Sequence, residues 1–434
     1  MKALKKDGMN WVGRDKQSIW HPFTPLEGVD DPLMIKKAEG VYLITEDDRK
    51  IIDAISSWWV NIHGHCHPDI TRAISEQAAN LEHVIFAGFT HQPAIELAEG
   101  LLSILPSNQS KIFYSDNGST AIEVALKMTI QYWFNKGEER NKFIAIDGAY
   151  HGDTFGSMSV GERGDFTKPF FNHLFDVNFI DFPSKENEHK VIDQFENYLR
   201  NEKIAAFIFE PLVQGAAGMR MYSPQFLDKL ISIAQSNGVI TIADEVMTGF
   251  GRTGKMFASD HLSNDPDIFC LSKGITGGAL AMGVTSCTKN IEDAFRLKDF
   301  RKAFLHGHSY TGNPMACAAA LASFNLIKQN NSLIEAERIS KAHSDFKNRL
   351  NKYSIIKEVR LLGTILVLEF KTTEDSSYFS ELRNSLYPFF LERDILLRPL
   401  GNLIYILPPY IITNVELQKV YNAIEEFLIS NSLH

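Results

Sequence analysis

The chain has 434 residues, 44% of them hydrophobic and 22% charged; it has the balance of a soluble globular protein but is too long for one ordinary core, so two or three domains are expected. Its formal net charge of -9, with acidic and basic residues interspersed, offers no footprint for nucleic acid or anionic lipid and leaves small molecules or a second copy of the chain as expected partners. Cys66, Cys270, Cys287 and Cys317 form no CxxC pair and no short-spaced framework, which argues for reduced thiols in a cytoplasmic protein rather than a disulfide-stapled secreted one.

Met1 to Trp11 carry lysines but no apolar stretch of the signal-peptide kind, and no run approaches the ~18 apolar residues of a membrane span. The segment 1–55 has short strand-like pieces such as Gly40 to Thr45 and is expected to pack on a small C-terminal domain. Residues 56–325 read as a large α/β domain. Within it Ile112 to Tyr114, Phe143 to Ile146, Ala205 to Phe209, Val239 to Ala243 and Ile268 to Leu271 are short apolar runs separated by helical patterns. Such runs predict a largely parallel sheet with helices on both faces. Ser119 to Phe134 is one of those helices; Ser223 as N-cap, Pro224 at the first position and Gly238 just past the end punctuate another. From about 326 to 434 the pattern becomes that of a smaller α+β domain. It has an amphipathic helix near Ile334 to Tyr353, strands at Thr364 to Phe370 and Leu403 to Leu407, and a last helix opened by a Thr413 and Glu416 capping box.

In open α/β sheets ligands gather at the carboxyl ends of the strands. Three polar groups stand there: Ser115-Asp116-Asn117-Gly118-Ser119-Thr120, Asp244-Glu245 and Ser272-Lys273-Gly274. Taken singly each has a plain explanation: a helix cap at Gly118-Ser119, a cap or metal ligand at Asp244, a snorkelling surface lysine at Lys273. Together they supply the three things pyridoxal 5′-phosphate requires. Free N–H groups at a helix start seat a phosphate, a buried lysine of lowered pKa forms the Schiff base, and a carboxylate keeps the ring nitrogen protonated so that the ring can accept electrons.

The run Ala243-Asp244-Glu245-Val246-Met247-Thr248-Gly249-Phe250-Gly251-Arg252-Thr253-Gly254, with Lys273 following, resembles the class III, or ω-type, aminotransferases of fold type I over about Trp20 to Pro409. The resemblance implies a large, mainly parallel sheet domain plus a smaller α+β domain. It also implies that Lys273 is both Schiff-base lysine and proton shuttle, that Val246 lies against the ring, and that Glu210 can pair with Arg252. A homodimer is implied, with its sites at the interface and Gly307, His308 and Ser309 reaching the partner's phosphate. Family members usually carry Thr at the last of these positions, and Ser309 keeps the hydroxyl donor.

Further motifs resemble the branch of the family that converts 8-amino-7-oxononanoate to 7,8-diaminononanoate in biotin synthesis. They are Ile19-Trp20-His21-Pro22-Phe23-Thr24, Ser56-Ser57-Trp58-Trp59, Gly148-Ala149-Tyr150-His151-Gly152-Asp153-Thr154 and Leu397-Arg398-Pro399. Carried over residue by residue, Trp58, Trp59 and Tyr150 line the substrate cavity, Tyr150 also belongs with the catalytic and cofactor-binding groups, and Arg398 takes the acceptor's carboxylate. The amino donor implied is S-adenosylmethionine, stacked near an aromatic that is commonly Tyr and is Phe23 here; relatives with Phe include users of lysine, which stays open as the alternative. Also open are another class III aminotransferase acting on an ω-amine, a non-catalytic protein of the same fold, and a metal-dependent hydrolase built on His63, His65 and His67. The intervening Gly64 and following Pro68 speak for a turn and against the metal.

Overall fold

The computed structural model describes residues 10–329, 332–372 and 382–431. Residues 1–9 of the N-terminal segment, and parts of the stretch 326–434, lie outside the described residues. Each of the five apolar runs is a strand, and together with Gly283–Thr288 and Asn178–Ile180 they form a seven-stranded sheet. Its order is Gln109–Ser115, Gly283–Thr288, Ile268–Leu271, Ile240–Asp244, Ile204–Phe209, Lys142–Ile146, Asn178–Ile180. Neighbours are parallel except for Gly283–Thr288, which runs antiparallel to both strands beside it. The reversed strand is hard to see in the sequence because it carries hydroxyls where an apolar run would be expected. Its burial is complete all the same: Thr285 Oγ1 donates to Ala121 O (2.8 Å) and Ser286 Oγ to Gln109 Oε1 (2.7 Å), so no polar atom is stranded by the fold at these two positions.

Two helices show why the strand ends lie where they do. Gly118–Lys136 begins one residue before the predicted start, capped by Asn117: Asn117 Oδ1 accepts Thr120 N–H (2.9 Å), while Thr120 Oγ1 accepts Asn117 N–H (3.0 Å). Pro224–Ser236 is capped by Ser223 Oγ, which accepts Phe226 N–H (3.0 Å), and Gly238 follows at φ +67°. Both caps satisfy donors that the first helical turn leaves free.

The C-terminal part builds an antiparallel sheet of Ile356–Leu362, Ile365–Phe370 and Leu403–Ile406, covered by Ser332–Leu350 and Asn414–Asn431. Glu416 and Thr413 form their capping box, with Thr413 N–H donating to Glu416 Oε2 (2.8 Å) and Glu416 N–H to Thr413 Oγ1 (3.2 Å). The N-terminal strands Ile35–Glu39, Tyr42–Thr45 and Lys50–Asp53 form a second sheet, to which Ile395–Leu396 adds in parallel. The segment that follows, Ala54 to Ile62, is tied to the C-terminal part by Leu407 N–H to Ala54 O (2.9 Å) and Tyr410 N–H to Ile62 O (2.9 Å). Within it Ser56, Ser57, Trp58 and Trp59 all have positive φ, at 52°, 44°, 73° and 77°. A left-handed turn of four non-glycine residues costs about 1–2 kcal/mol per residue, so its surroundings must hold it.

One glycine is decisive for the sheet. A Cβ on Gly283 would lie 2.2 Å from Asn117 O and 2.4 Å from Ser115 Oγ, at the loop that opens the Gly118–Lys136 helix. We expect Gly283→Ala to destabilise by about 1–3 kcal/mol, the usual cost of overpacking, and to weaken cofactor binding through the displaced loop. Thermal denaturation and a cofactor titration check this; unchanged values in both would contradict it.

Candidate active site

Asp244 ends its strand and is paired in register with Cys270 of the next, so Lys273, which follows that strand, emerges beside it. The Asp244 carboxylate is buried and held from two sides: His151 Nδ1–H donates to Oδ2 (2.7 Å) and Val246 N–H to Oδ1 (3.0 Å). The neighbouring Glu245 has a different task. It accepts from Ser259 N–H, Ser259 Oγ, Ala258 N–H and Thr248 Oγ1 at 2.5–3.0 Å, which fastens the loop that continues from the strand.

Lys273 sits at φ 44° on a short 3₁₀ turn, with Nζ 4.9 Å from the centre of the Trp59 ring. Among the described residues its amine makes no ion pair. Burial pushes it below the usual lysine range, against the opposing pull of Asp244 and Glu210. A desolvated lysine near a carboxylate that does not neutralise it by contact has a larger fraction of neutral, nucleophilic amine.

Glu210 is buried one loop away. Its Oε1 accepts Tyr150 N–H (3.0 Å) and its Oε2 accepts Gly215 N–H (2.8 Å). The expected pair with Arg252 is not formed. Arg252, itself buried, donates from Nη1 to Pro408 O (2.8 Å) and from Nη2 to Trp59 O (3.2 Å), so backbone carbonyls take the guanidinium and backbone N–H groups take the carboxylate. Burial pushes Glu210 up to about 7; the pull of His151 and its two N–H donors opposes the rise, and Asp244 adds to it.

At the helix start the cap is spent on Thr120, which leaves the N–H groups of Gly118 and Ser119 without an intrahelical acceptor. Ser119 Oγ accepts Thr154 N–H (3.0 Å) and lies 2.8 Å from Thr154 Oγ1. A Cβ on Gly118 would meet Val246 Cγ1 at 2.8 Å and Ser272 Cβ at 3.6 Å, so the helix start, Val246 and the residue before Lys273 converge on one place. The three groups fit a phosphorylated pyridine aldehyde: N–H donors for the phosphate, a fixed carboxylate for a ring nitrogen, and a desolvated amine for the aldehyde carbon.

Phe23, Trp58, Trp59, Tyr150 and Lys273 line a single cavity of about 1150 Å³. Phe23 meets Trp58 edge to face at 5.5 Å. Burial raises the Tyr150 hydroxyl above the usual phenol range, and Asp153, Asp244 and Glu210 add to the rise. Arg398 stands behind this wall, its guanidinium 4.7 Å from the Trp58 ring and its Nε buried with no partner among the described residues. Gly307 and Ser309 are exposed in a loop outside the cavity; His308, half-buried beside them, places Nε2 3.9 Å from Asp116 Oδ1.

Sequence reasoning did not single out His151, although it lies next to Tyr150 in a quoted motif; its partner, Asp244, is 93 residues away. It also missed the charged end of the cavity. There Arg360 Nη1 bonds Glu358 Oε2 and Glu369 Oε2 (both 2.5 Å), with Lys357 Nζ on Glu369 Oε1 (2.7 Å). The three histidines go elsewhere. His63 lies 3.1 Å from Ser323 Oγ, His65 donates to Asp53 Oδ2 (2.9 Å), and His67 Nδ1 accepts Asp69 N–H (3.3 Å) at a helix start.

Known proteins resemble this chain over nearly its whole length. A family model described as aminotransferase class III matches residues 26–428. The adenosylmethionine-8-amino-7-oxononanoate aminotransferase of Synechococcus elongatus is 46% identical over 418 residues, 94% of this chain and 98% of that protein. The crystal structure of the protein of the same name from Methanocaldococcus jannaschii superposes with a TM-score of 0.89 at 36% identity, over 95% of this chain and 98% of that one. An amine transaminase from an uncultivated Pseudomonas species, solved in its PLP-bound form, gives a TM-score of 0.87 at 29% identity over 94% of this chain and 97% of that one.

Two outcomes follow from the site. Lys273→Ala should lower turnover by about 10²-fold or more, the contribution of a positioned proton-transfer group, while pyridoxal 5′-phosphate still binds non-covalently at Gly118 and Ser119. Steady-state rates and equilibrium dialysis check this, and a variant with near-normal turnover would contradict it. Glu210 gives a pH signature in the apo-protein. Because its folded-state value lies above its unfolded one, protonated Glu210 favours folding; that contribution is complete below 4.5 and is lost as pH rises through about 7. The Tm of Glu210→Gln should therefore fall less over this window than that of the wild type, and equal slopes in thermal scans would contradict the burial argument.

Proposed function

The chain belongs to the class III aminotransferases, pyridoxal 5′-phosphate enzymes, and we propose that within that family it converts 8-amino-7-oxononanoate to 7,8-diaminononanoate, with S-adenosylmethionine as amino donor. The observation that carries this is the cavity wall. Phe23, Trp58, Trp59 and Tyr150 face one space with Lys273, and Arg398 is stacked behind Trp58 with an unpartnered buried donor. The aromatic surface suits a long aliphatic chain, and the guanidinium suits the carboxylate at its far end. A volume of about 1150 Å³ exceeds what one small ligand usually needs, as expected where a donor and an acceptor of different shapes occupy the same space in turn.

When bound, the cofactor supplies an electron sink for the negative charge that develops at the amine-bearing carbon when its proton is removed. The residues would do the rest. Lys273 would hold the cofactor covalently, and its Nζ would take and return the substrate proton. Asp244, fixed by His151 and Val246, would face the ring nitrogen, with Gly118 and Ser119 at the phosphate. Tyr150 and Trp59 would keep water from the reacting carbon.

The proposed working unit is a homodimer in which Gly307, His308 and Ser309 complete the partner's phosphate site. Exposed apolar side chains beside them support this: Ile85, Phe89, Leu305 and Tyr310 are each about 60% exposed, and His83 and Tyr310 bring their two segments together with rings 5.5 Å apart. Monomers of soluble proteins seldom leave such a patch uncovered. No helix among the described residues is long and apolar enough to cross a membrane, and the reading places the enzyme in the cytoplasm.

Phe23, which keeps a stacking face but lacks the hydroxyl that Tyr would offer, leaves lysine as the alternative donor. The donors separate in a half-reaction without acceptor. S-adenosylmethionine alone should convert the cofactor to its amine form, read by absorbance; conversion by lysine alone would overturn the donor assignment and leave the acceptor standing. Arg398→Ala should lower kcat/KM for the acceptor by roughly 10- to 150-fold, the loss of a charge-assisted contact of about 1.5–3 kcal/mol, with little effect on the donor half-reaction. Equal damage to both halves would contradict the carboxylate role.

A further inference from the structure

We infer that Asp53 is a positioning residue for the substrate wall: buried beneath the cavity, it holds the left-handed Ser56–Trp59 turn in the conformation that presents Trp58 and Trp59. Both tryptophans belong to this turn, so its backbone sets two contacts at once. Trp59 lies under the Lys273 amine, and Trp58 stands between Phe23 and Arg398. Four successive positive-φ residues without a glycine do not adopt this shape by preference.

The structure places a complete set of restraints around the turn. Asp53 is 0% exposed. Its Oδ1 accepts Ile55 N–H (3.2 Å), and its Oδ2 accepts both Ser57 Oγ–H (2.7 Å) and His65 Nε2–H (2.9 Å). Ser57 is inside the turn, so one of these bonds acts directly on a left-handed residue. His65 is in turn oriented by Asn61, whose Nδ2 donates to His65 Nδ1 (3.3 Å). At the far end Arg252 donates to Trp59 O, and at the first residue of the turn Ser56 Oγ donates to Leu407 O (2.8 Å). Asp53 is the only one of these restraints in which a single side chain takes donors from before the turn, inside it and beyond it. Three donors converging on two oxygens suit a carboxylate; an amide there would turn an NH₂ group towards one side of the set.

Asp53 touches neither cofactor nor substrate, so its effect should act through the geometry of the tryptophans. If so, removing the restraint should matter less when the turn no longer needs it. Glycine adopts positive φ readily; Ser57→Gly should therefore repair an Asp53 variant, which a general contribution to core stability would not allow.

The test uses the holoenzyme as wild type, Asp53→Ala, Ser57→Gly and the double variant, and depends on the proposed reading only for the choice of acceptor. Asp53→Ala should lower kcat/KM for 8-amino-7-oxononanoate by about 10- to 100-fold, the scale of a misplaced binding group, mostly through KM. It should also lose the near-ultraviolet circular dichroism band that Trp58→Phe identifies as belonging to Trp58. The double variant should regain most of both relative to Ser57→Gly alone. A double variant as impaired as Asp53→Ala, or an Asp53→Ala enzyme with unchanged KM and band, would overturn the inference. Should Asp53→Ala not accumulate as folded protein, Asp53→Asn carries the same test, with displaced KM and band expected and unchanged values overturning it. If the wild type does not turn over 8-amino-7-oxononanoate, the proposed function fails on its own, and the tryptophan band across the four proteins still decides the role of Asp53.

Discussion

The site depends on keeping a carboxylate and an amine apart while burying both at the ends of adjacent strands. Asp244 and Lys273 are close enough to feel each other's charge but form no ion pair. Direct pairing would stabilise the ammonium and remove the nucleophile. His151 Nδ1 and the Val246 N–H take the carboxylate's two oxygens instead, so the anion is satisfied without the lysine. Burial can then depress the lysine pKa. His151 Nε2 remains buried without a partner among the described residues, a polar atom left over from a bond whose other end fixes Asp244.

The sheet supplies one half of the site and the N-terminal segment the other. The strand ends and the Gly118–Lys136 helix bring the Asp244 carboxylate, the Lys273 amine and the N–H groups of Gly118 and Ser119 together through the order and register of the sheet. The two tryptophans of the aromatic wall come from Ser56–Trp59, a turn lashed to Leu407 and Arg252, far along the chain. On the proposed reading this division places the chemistry at strand ends and the substrate contacts on a connecting segment, an arrangement that lets one fold serve different substrates. It also explains why Arg252 does not meet Glu210: the guanidinium is needed at the carbonyls of Trp59 and Pro408, and Glu210 is needed at the N–H groups of Tyr150 and Gly215.

The sequence made the strand ends legible because a buried parallel strand is a short apolar run, and a polar residue directly after one has few places to go. Asp244, Lys273 and Gly118 could be placed together on that ground, and the helix caps at Ser223 and Thr413 obey local rules. Three of the features that were not legible show why. The reversed strand Gly283–Thr288 hides its burial behind hydroxyls, of which those of Thr285 and Ser286 find their partners only in the folded state. The left-handed turn carries no glycine to announce it. The His151 contact with Asp244 joins positions that periodicity cannot relate. In each case the missing information is tertiary: a hydrogen-bond partner distant in sequence decides what the local residues do.

The proposed chemistry rests on Lys273 as the residue that would hold the cofactor. Reduction of the holoenzyme with borohydride would fix the cofactor to its lysine, and peptide mass mapping would then locate the added pyridoxyl group. The account predicts a single modified peptide, with the group on Lys273. The same mass on any other lysine, with Lys273 unmodified, would contradict it.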